Sequence, residues 1–292
     1  MEEHNSPACV ADVKAVLGEG PVWDARDQAL YWVDIKGQRI FRRAFEGGEV
    51  TQWRPPFPVC SLAPRKSGGF VAGSENGFAF VDFEAQRFEL HANPEPERPT
   101  NRFNDGKVDR DCRFWAGTMD DEEISASGAL YRLDQDLSWR RIDDDYRVTN
   151  GPAFSPGGRV MYHNDSARQL TYAFDLDQEG NASNRRVFLQ FAEGDGYPDG
   201  MTVDGEGCLW IAFWDAWCVR RYTPEGELIQ TVDLPVQRPT SCAFGGPDLD
   251  HLFITSASVG LDEIALAMQP YAGGLFVVKP GVSGLPDALF AG

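Results

Sequence analysis

Apolar and polar positions along the 292-residue chain recur in short blocks, with no long amphipathic stripe. A small or polar opening leads into a brief apolar run. A polar turn bearing Gly or Asp follows, as at Asp24 to Asp27 or Ser155 to Gly158. A second apolar run comes next: LYWVD, FVAGS, FWAGT, VMYHND, LWIAFW or LFITSA. A third, alternating run usually closes the unit, as in RIFRRAF, LTYAFDL and CVRRYT. Period-two alternation between turn signals predicts antiparallel strands. Segments 120–127 and 261–269 read as loops with room for one helical turn.

Six copies of the unit align on the residue before the first turn: Asp24, Pro64, Asp109, Ser155, Asp204 and Gly245. Five residues earlier stand Glu19, Val59, Asn104, Asn150, Asp199 and Thr240, spaced by 40, 45, 46, 49 and 41 residues. Strand repeats of about 40 to 50 residues point to propeller blades. The expected fold is therefore all-β: a six-bladed β-propeller of four-stranded antiparallel blades, one domain over 1–292, with 1–7 a loose tail. The third strand of the last blade is expected in GGLFVVK from Gly273. Its outer strand is expected from the N-terminus, near Cys9 to Val16, so that the two chain ends close the ring. A sandwich needs no such repeat and ranks below.

Composition narrows this reading. The 30 Gly and 19 Pro suit many turns, and 12% aromatic residues suit short strands better than long helices. A formal charge of −18 disfavours nucleic acid and anionic membrane as partners. The six cysteines, at 9, 60, 112, 208, 218 and 242, show no C-x-x-C spacing. They are expected to be mostly reduced thiols of a cytoplasmic protein. The acidic start MEEHNSPACVADV reads as no signal peptide, and no apolar run reaches membrane-spanning length.

In a propeller the innermost strands line a central channel, so equivalent positions form a ring. Glu19, Val59, Asn104, Asn150, Asp199 and Thr240 are expected in one such ring. Two carboxylates, two amides and a hydroxyl would then converge. Carboxylate and amide oxygens suit one divalent ion: Ca, Mg or Mn, and with water Zn or Fe. The competing reading is that Asn-Gly-Pro and Asp-Gly only satisfy turn backbones. The chain has no G-x-S-x-G, H-E-x-x-H or phosphate-loop motif. His163 reads as a packed or hydrogen-bonded core residue, and Asp143 to Asp145 as a solvated turn. Trp210, Trp214 and Trp217 read as packing residues, with Trp214 able to face the channel mouth.

Several stretches, in order, resemble the regucalcin/gluconolactonase family of sugar lactonases. They are LGEGPVWD (17–24), NRFNDGKVD (101–109), FWAGTM (114–119), TNGPAFSPGG (149–158), YPDGMTVDGEGCLW (197–210) and CAFGGPDLDHLFIT (242–255). The resemblance runs from about residue 14 to about residue 280. It implies metal-dependent hydrolysis of an aldonolactone to the open-chain sugar acid. The metal ligands would be Glu19, Asn150 and Asp199, with Asp199 as general base or as ligand alone. Arg102 and Asn104 would hold substrate, pointing the same way across Phe103. An acidic residue after GTM, Asp121 or Glu122, would join them. The alternatives are a calcium-binding regulatory protein without turnover and an organophosphate or aryl-ester hydrolase. The metal, the lactone and the oligomeric state stay open.

Overall fold

The computed structural model describes residues 6–292. Of the tail expected at 1–7, residues 1–5 lie outside the described residues, and Ser6 and Pro7 precede the first strand. The described chain forms six four-stranded antiparallel sheets, the blades of a β-propeller. The innermost strands are Gly18–Asp24, Val59–Pro64, Asn101–Val108, Thr149–Phe154, Tyr197–Val203 and Pro239–Gly245. Each touches the inner strands of both neighbouring blades, so the six close a ring around the axis.

Burial explains the hydrophobic blocks. Second strands such as Ala29–Asp34 and Phe114–Asp120 are buried along their whole length. They lie between neighbouring blades, which is why their runs are continuous instead of alternating. Outer strands such as Arg87–Ala92 and Leu228–Asp233 are largely exposed, and even Leu90, Leu228 and Ile229 face solvent there. One apolar cluster runs from Val22 in blade 1 through Leu62 in blade 2 to Leu133 in blade 3.

The ring closes by joining both chain ends, as expected, but over a shorter strand. Ala8–Ala11 pairs with Leu275–Val278, with Cys9 opposite Phe276. The ladder stops at Ala11 and does not reach Val16, because the partner strand has four residues and Lys14 turns the chain inward at φ 50°. Within 261–269 a short helix, Glu263–Met268, is capped by the Asp262 side chain, which accepts from Ala265 N at 2.8 Å. The run Asp143 to Asp145 is solvated at Asp144 and Asp145, as expected, but it is strand and not turn. It ends the outer strand Trp139–Tyr146, where Asp143 accepts from Tyr146 Oη at 2.5 Å and pairs with Arg185 at 3.0 Å.

The aligned aspartates before the first turn have a structural role. Asp109 accepts from Asp111 N, Arg113 N and Trp115 Nε1 at 2.9, 2.9 and 2.7 Å. Asp204 repeats this with Glu206 N, Cys208 N and Trp210 Nε1 at 2.9, 3.0 and 2.9 Å. Each folds its turn and fixes an indole, so buried Trp210 is the packing residue expected. Trp217 departs from that expectation: it is 41% exposed, at φ 60°.

At this end of the inner strands the C-terminal segment crosses the axis. Gly205 N donates to Ser283 O, Gly284 N to Leu249 O, Lys66 N to Phe290 O and Ala291 N to Cys112 O, at 2.8 to 3.1 Å. Phe290 is fully buried. Behind it, Asp287 and Ala288 wall a channel remnant of about 20 Å³, room for about one water.

Candidate metal and substrate site

Every inner strand changes register at the level of the expected ring. The shifts fall between Glu19 and Val22, Val59 and Ser61, Phe103 and Gly106, Asn150 and Ala153, Pro198 and Met201, and Pro239 and Ser241. Such bulges re-aim side chains away from the ladder. Glu19, Asn104, Asn150 and Asp199 thereby line one cavity of about 590 Å³, together with Arg102 and Asp121. The other two ring members do not line it. Val59 packs in the apolar cluster, and the Thr240 hydroxyl is held between Gly18 O and Thr255 Oγ1. The hydroxyl expected at the ring is thus spent on the backbone.

A chain of hydrogen bonds crosses three blades and orients both amides. Arg102 Nη1 donates to Asn104 Oδ1 at 2.7 Å. Asn104 Nδ2 donates to Thr149 O at 2.7 Å and to Asn150 Oδ1 at 3.1 Å. Asn150 Nδ2 donates to Ser166 Oγ at 2.9 Å, and Ser166 Oγ donates to Pro198 O at 2.6 Å. Arg102 and Asn104 do share a face, with Phe103 buried between them.

The acidic pair after GTM divides. Asp121 lines the cavity, and both its oxygens accept from Lys36 Nζ at 2.7 Å while Oδ1 also takes Arg102 Nε. Burial raises its pKa, but Lys36 and Arg102 hold the carboxyl below its ordinary range. Glu122 is exposed and outside the cavity wall; Glu123 lines it instead. Trp214 does reach the mouth, with the Arg238 guanidinium 4.6 Å over its ring. Lys36, Glu123, Ser166 and Arg238 were not among the sequence candidates.

His163 takes no part in the cavity. It is fully buried, edge-on to Tyr146 at 4.8 Å, and neither ring nitrogen has a hydrogen-bond partner among the described residues. It is the packed residue expected, without the hydrogen bond. Burial, then nearby Arg185, pushes its pKa down to about 3.

Residues 17–258 match the family described as SMP-30/Gluconolactonase/LRE-like region. The chain belongs to this family. It is 42% identical to a regucalcin of Danio rerio over 289 residues, covering 97% of this chain and 98% of the relative. It is 37% identical to a 6-deoxy-6-sulfogluconolactonase of Pseudomonas putida over 285 residues, with the same two coverages. The crystal structure of a calcium-binding protein, regucalcin, from Agrobacterium tumefaciens superposes with a TM-score of 0.93 at 28% identity, covering 97% of this chain and 96% of that one.

Chemistry at the ring fits the divalent ion that resemblance to the family implies. Glu19 and Asp199 are 5% and 6% exposed, and neither makes an ion pair among the described residues. Burial, then the charge of Asp105, pushes Glu19 up to about 8 against the Gly20 N–H and Arg102. Asp199 lies well above its ordinary range, through burial first and then Glu19 and Asp105. Buried carboxylates without a cation are costly, and a hard cation relieves both. Among the described residues no three His, Cys, Asp or Glu side chains stand close enough to hold an ion by themselves. The third oxygen at the ring is an amide, Asn150 Oδ1.

Proposed function

We propose that this chain hydrolyses a sugar lactone to the open-chain sugar acid, using a divalent cation held by Glu19, Asn150 and Asp199. One observation carries the reading. Two buried carboxylates that make no ion pair among the described residues and one oriented amide face an open cavity beside Arg102 and Asn104. The sulfogluconolactonase relative supports the lactone as substrate.

A lactone is a cyclic ester, and its opening needs a polarised carbonyl, a deprotonated water and a proton for the leaving ring oxygen. The bound cation would supply Lewis acidity for the first need and acidify water for the second. Asp199 takes the proton from water as its oxygen bonds to the carbonyl carbon. The C–O bond of the ring breaks, and the proton passes to the departing alkoxide. Arg102, held by Asp121 and Asn104, offers its charge to the developing oxyanion or to sugar oxygens. Asn104 orients the sugar through its contact with the ring. No covalent intermediate is required.

A second reading is a calcium-binding protein without turnover, favoured by the description of the Agrobacterium structure. One experiment separates them. Chelated protein is assayed on pentono- and hexonolactones and an aryl ester, with Ca, Mg, Mn, Zn or Fe added back. Lactone turnover restored by a metal is expected. Tight calcium binding with no turnover of any lactone overturns the enzymatic reading.

A further inference from the structure

The residues after the ring positions are Gly20, Cys60, Asp105, Gly151, Gly200 and Ser241. Of these, Gly20, Asp105 and Ser241 line the closed remnant of the channel. All three proposed metal ligands are followed by glycine, and space requires it at Gly200, where an added Cβ would lie 2.1 Å from Ser241 Oγ. Lys107 also lines the remnant, but of the six residues after the ring positions Asp105 alone carries charge. It is 8% exposed, lines the closed remnant of the channel, and makes no ion pair among the described residues.

Both its oxygens are engaged. Oδ1 accepts from Gly106 N at 2.8 Å, and Oδ2 accepts from Gly151 N of blade 4 at 2.9 Å. With Asn104, it grips three consecutive residues of that blade: Thr149 through O, Asn150 through Oδ1 and Gly151 through N. The middle one is a proposed ligand. Its amide is thus fixed on both sides of the peptide chain and at the side chain.

We propose that Asp105 is a positioning residue of the metal site. It locks the Asn150 segment from beneath the ring through Gly151 N and would not itself ligate the cation. The inference rests on the metal-dependent reading above. Outer groups that orient ligands typically change metal affinity by about 10- to 100-fold.

The test compares Asp105→Asn and Asp105→Ala with the wild-type full chain. Calcium, manganese and zinc are titrated calorimetrically, and melting is followed with and without metal. Metal affinity is expected to fall by about 10-fold or more. The metal-free melting temperature of Asp105→Asn is expected to stay level, since Asn keeps an oxygen that can accept from Gly151 N. At saturating metal, kcat is expected to recover, with KM for lactone unchanged. Metal affinities matching wild type in both variants would overturn the proposal. So would a metal-free melting temperature well below wild type for Asp105→Asn, which marks a brace of the fold. If wild type itself binds none of the ions, the metal reading falls and takes this one with it, which is a separate outcome from variants that bind as wild type does.

Discussion

Blades 2 and 3 present the same strand to the channel, with a bulge at the same level, yet only one builds a site. In blade 2 the strand Val59–Pro64 is buried throughout, and Val59 at the ring joins the apolar cluster. In blade 3 the strand Asn101–Val108 places Arg102 and Asn104 in the open cavity and Asp105 and Lys107 in the closed channel below. The repeat therefore defines where a site is possible, and the residue at each register position decides whether one is there. The difference teaches that a ring of equivalent positions is a frame, filled here from blades 1, 3, 4 and 5.

The strongest test of that contrast lies at the ring carboxylates. Asp199→Ala and Glu19→Gln are expected to remove metal-dependent lactone turnover by about 1000-fold or more, while the propeller still folds. Circular dichroism and steady-state kinetics on the same samples check this. Melting without metal should hold or rise, because each change removes a buried carboxyl that makes no ion pair among the described residues. Full turnover in metal-stripped Asp199→Ala would dissolve the distinction between ring and core.

The frame was legible in the sequence because each blade contributes one period of strands and turns. That repeat placed Glu19, Asn104, Asn150 and Asp199 in one cavity. It also placed Val59 and Thr240 there, and these serve packing and the Gly18 carbonyl. Register alone reads position, not partners. The walls were illegible for a different reason. Lys36 and Ser166 lie between strands, where blades share no register, and reach the site only through folding. Asp105 was hidden by strand periodicity: neighbours on a regular strand face opposite ways, whereas the bulge after Phe103 turns both Asn104 and Asp105 toward the axis. The aligned Asp109 and Asp204 show the converse, a strong repeat signal that serves turns and indoles.

A histidine in blade 4 extends the contrast from position to acid response. His163 is buried without a hydrogen-bond partner among the described residues, with its pKa pushed from 6.5 down to about 3. Between those values the unfolded chain binds a proton there and the folded one does not. Stability is therefore full above the unfolded value and falls as pH drops toward 3, by up to about 1.4 kcal/mol per pH unit. At pH 4 the gap between wild type and His163→Phe should reach roughly 3 kcal/mol relative to pH 7. Urea unfolding of the pair at both pH values measures it. An equal loss in both proteins would show that His163 gains a proton in the fold.

Arg102 probes the part of blade 3 that faces the open cavity. Its guanidinium bonds Asn104, the Phe103 carbonyl and Asp121, so Arg102→Ala leaves Asp121 with Lys36 alone. Loss of one charged hydrogen bond to substrate lowers kcat/KM by about 10- to 100-fold, with metal affinity near wild type. Unchanged kinetics would remove Arg102 from the substrate site and leave it a structural partner of Asn104.

Val59 is the matching probe in blade 2, and its expected effect on catalysis is the smallest. Val59→Ala removes two buried methyl groups from a cluster shared with Cys60, Leu62 and Phe103. The transfer and cavity terms together predict a loss of about 1–2 kcal/mol in stability. Below the unfolding transition kcat/KM should stay within about a factor of two, since no polar group at the cavity loses a partner. The measurement is kcat/KM for lactone alongside urea unfolding. A catalytic loss larger than that would mean that blade 2 shapes the site through Phe103, which lies between Arg102 and Asn104. The two blades would then differ in what they touch and not in whether they serve the chemistry.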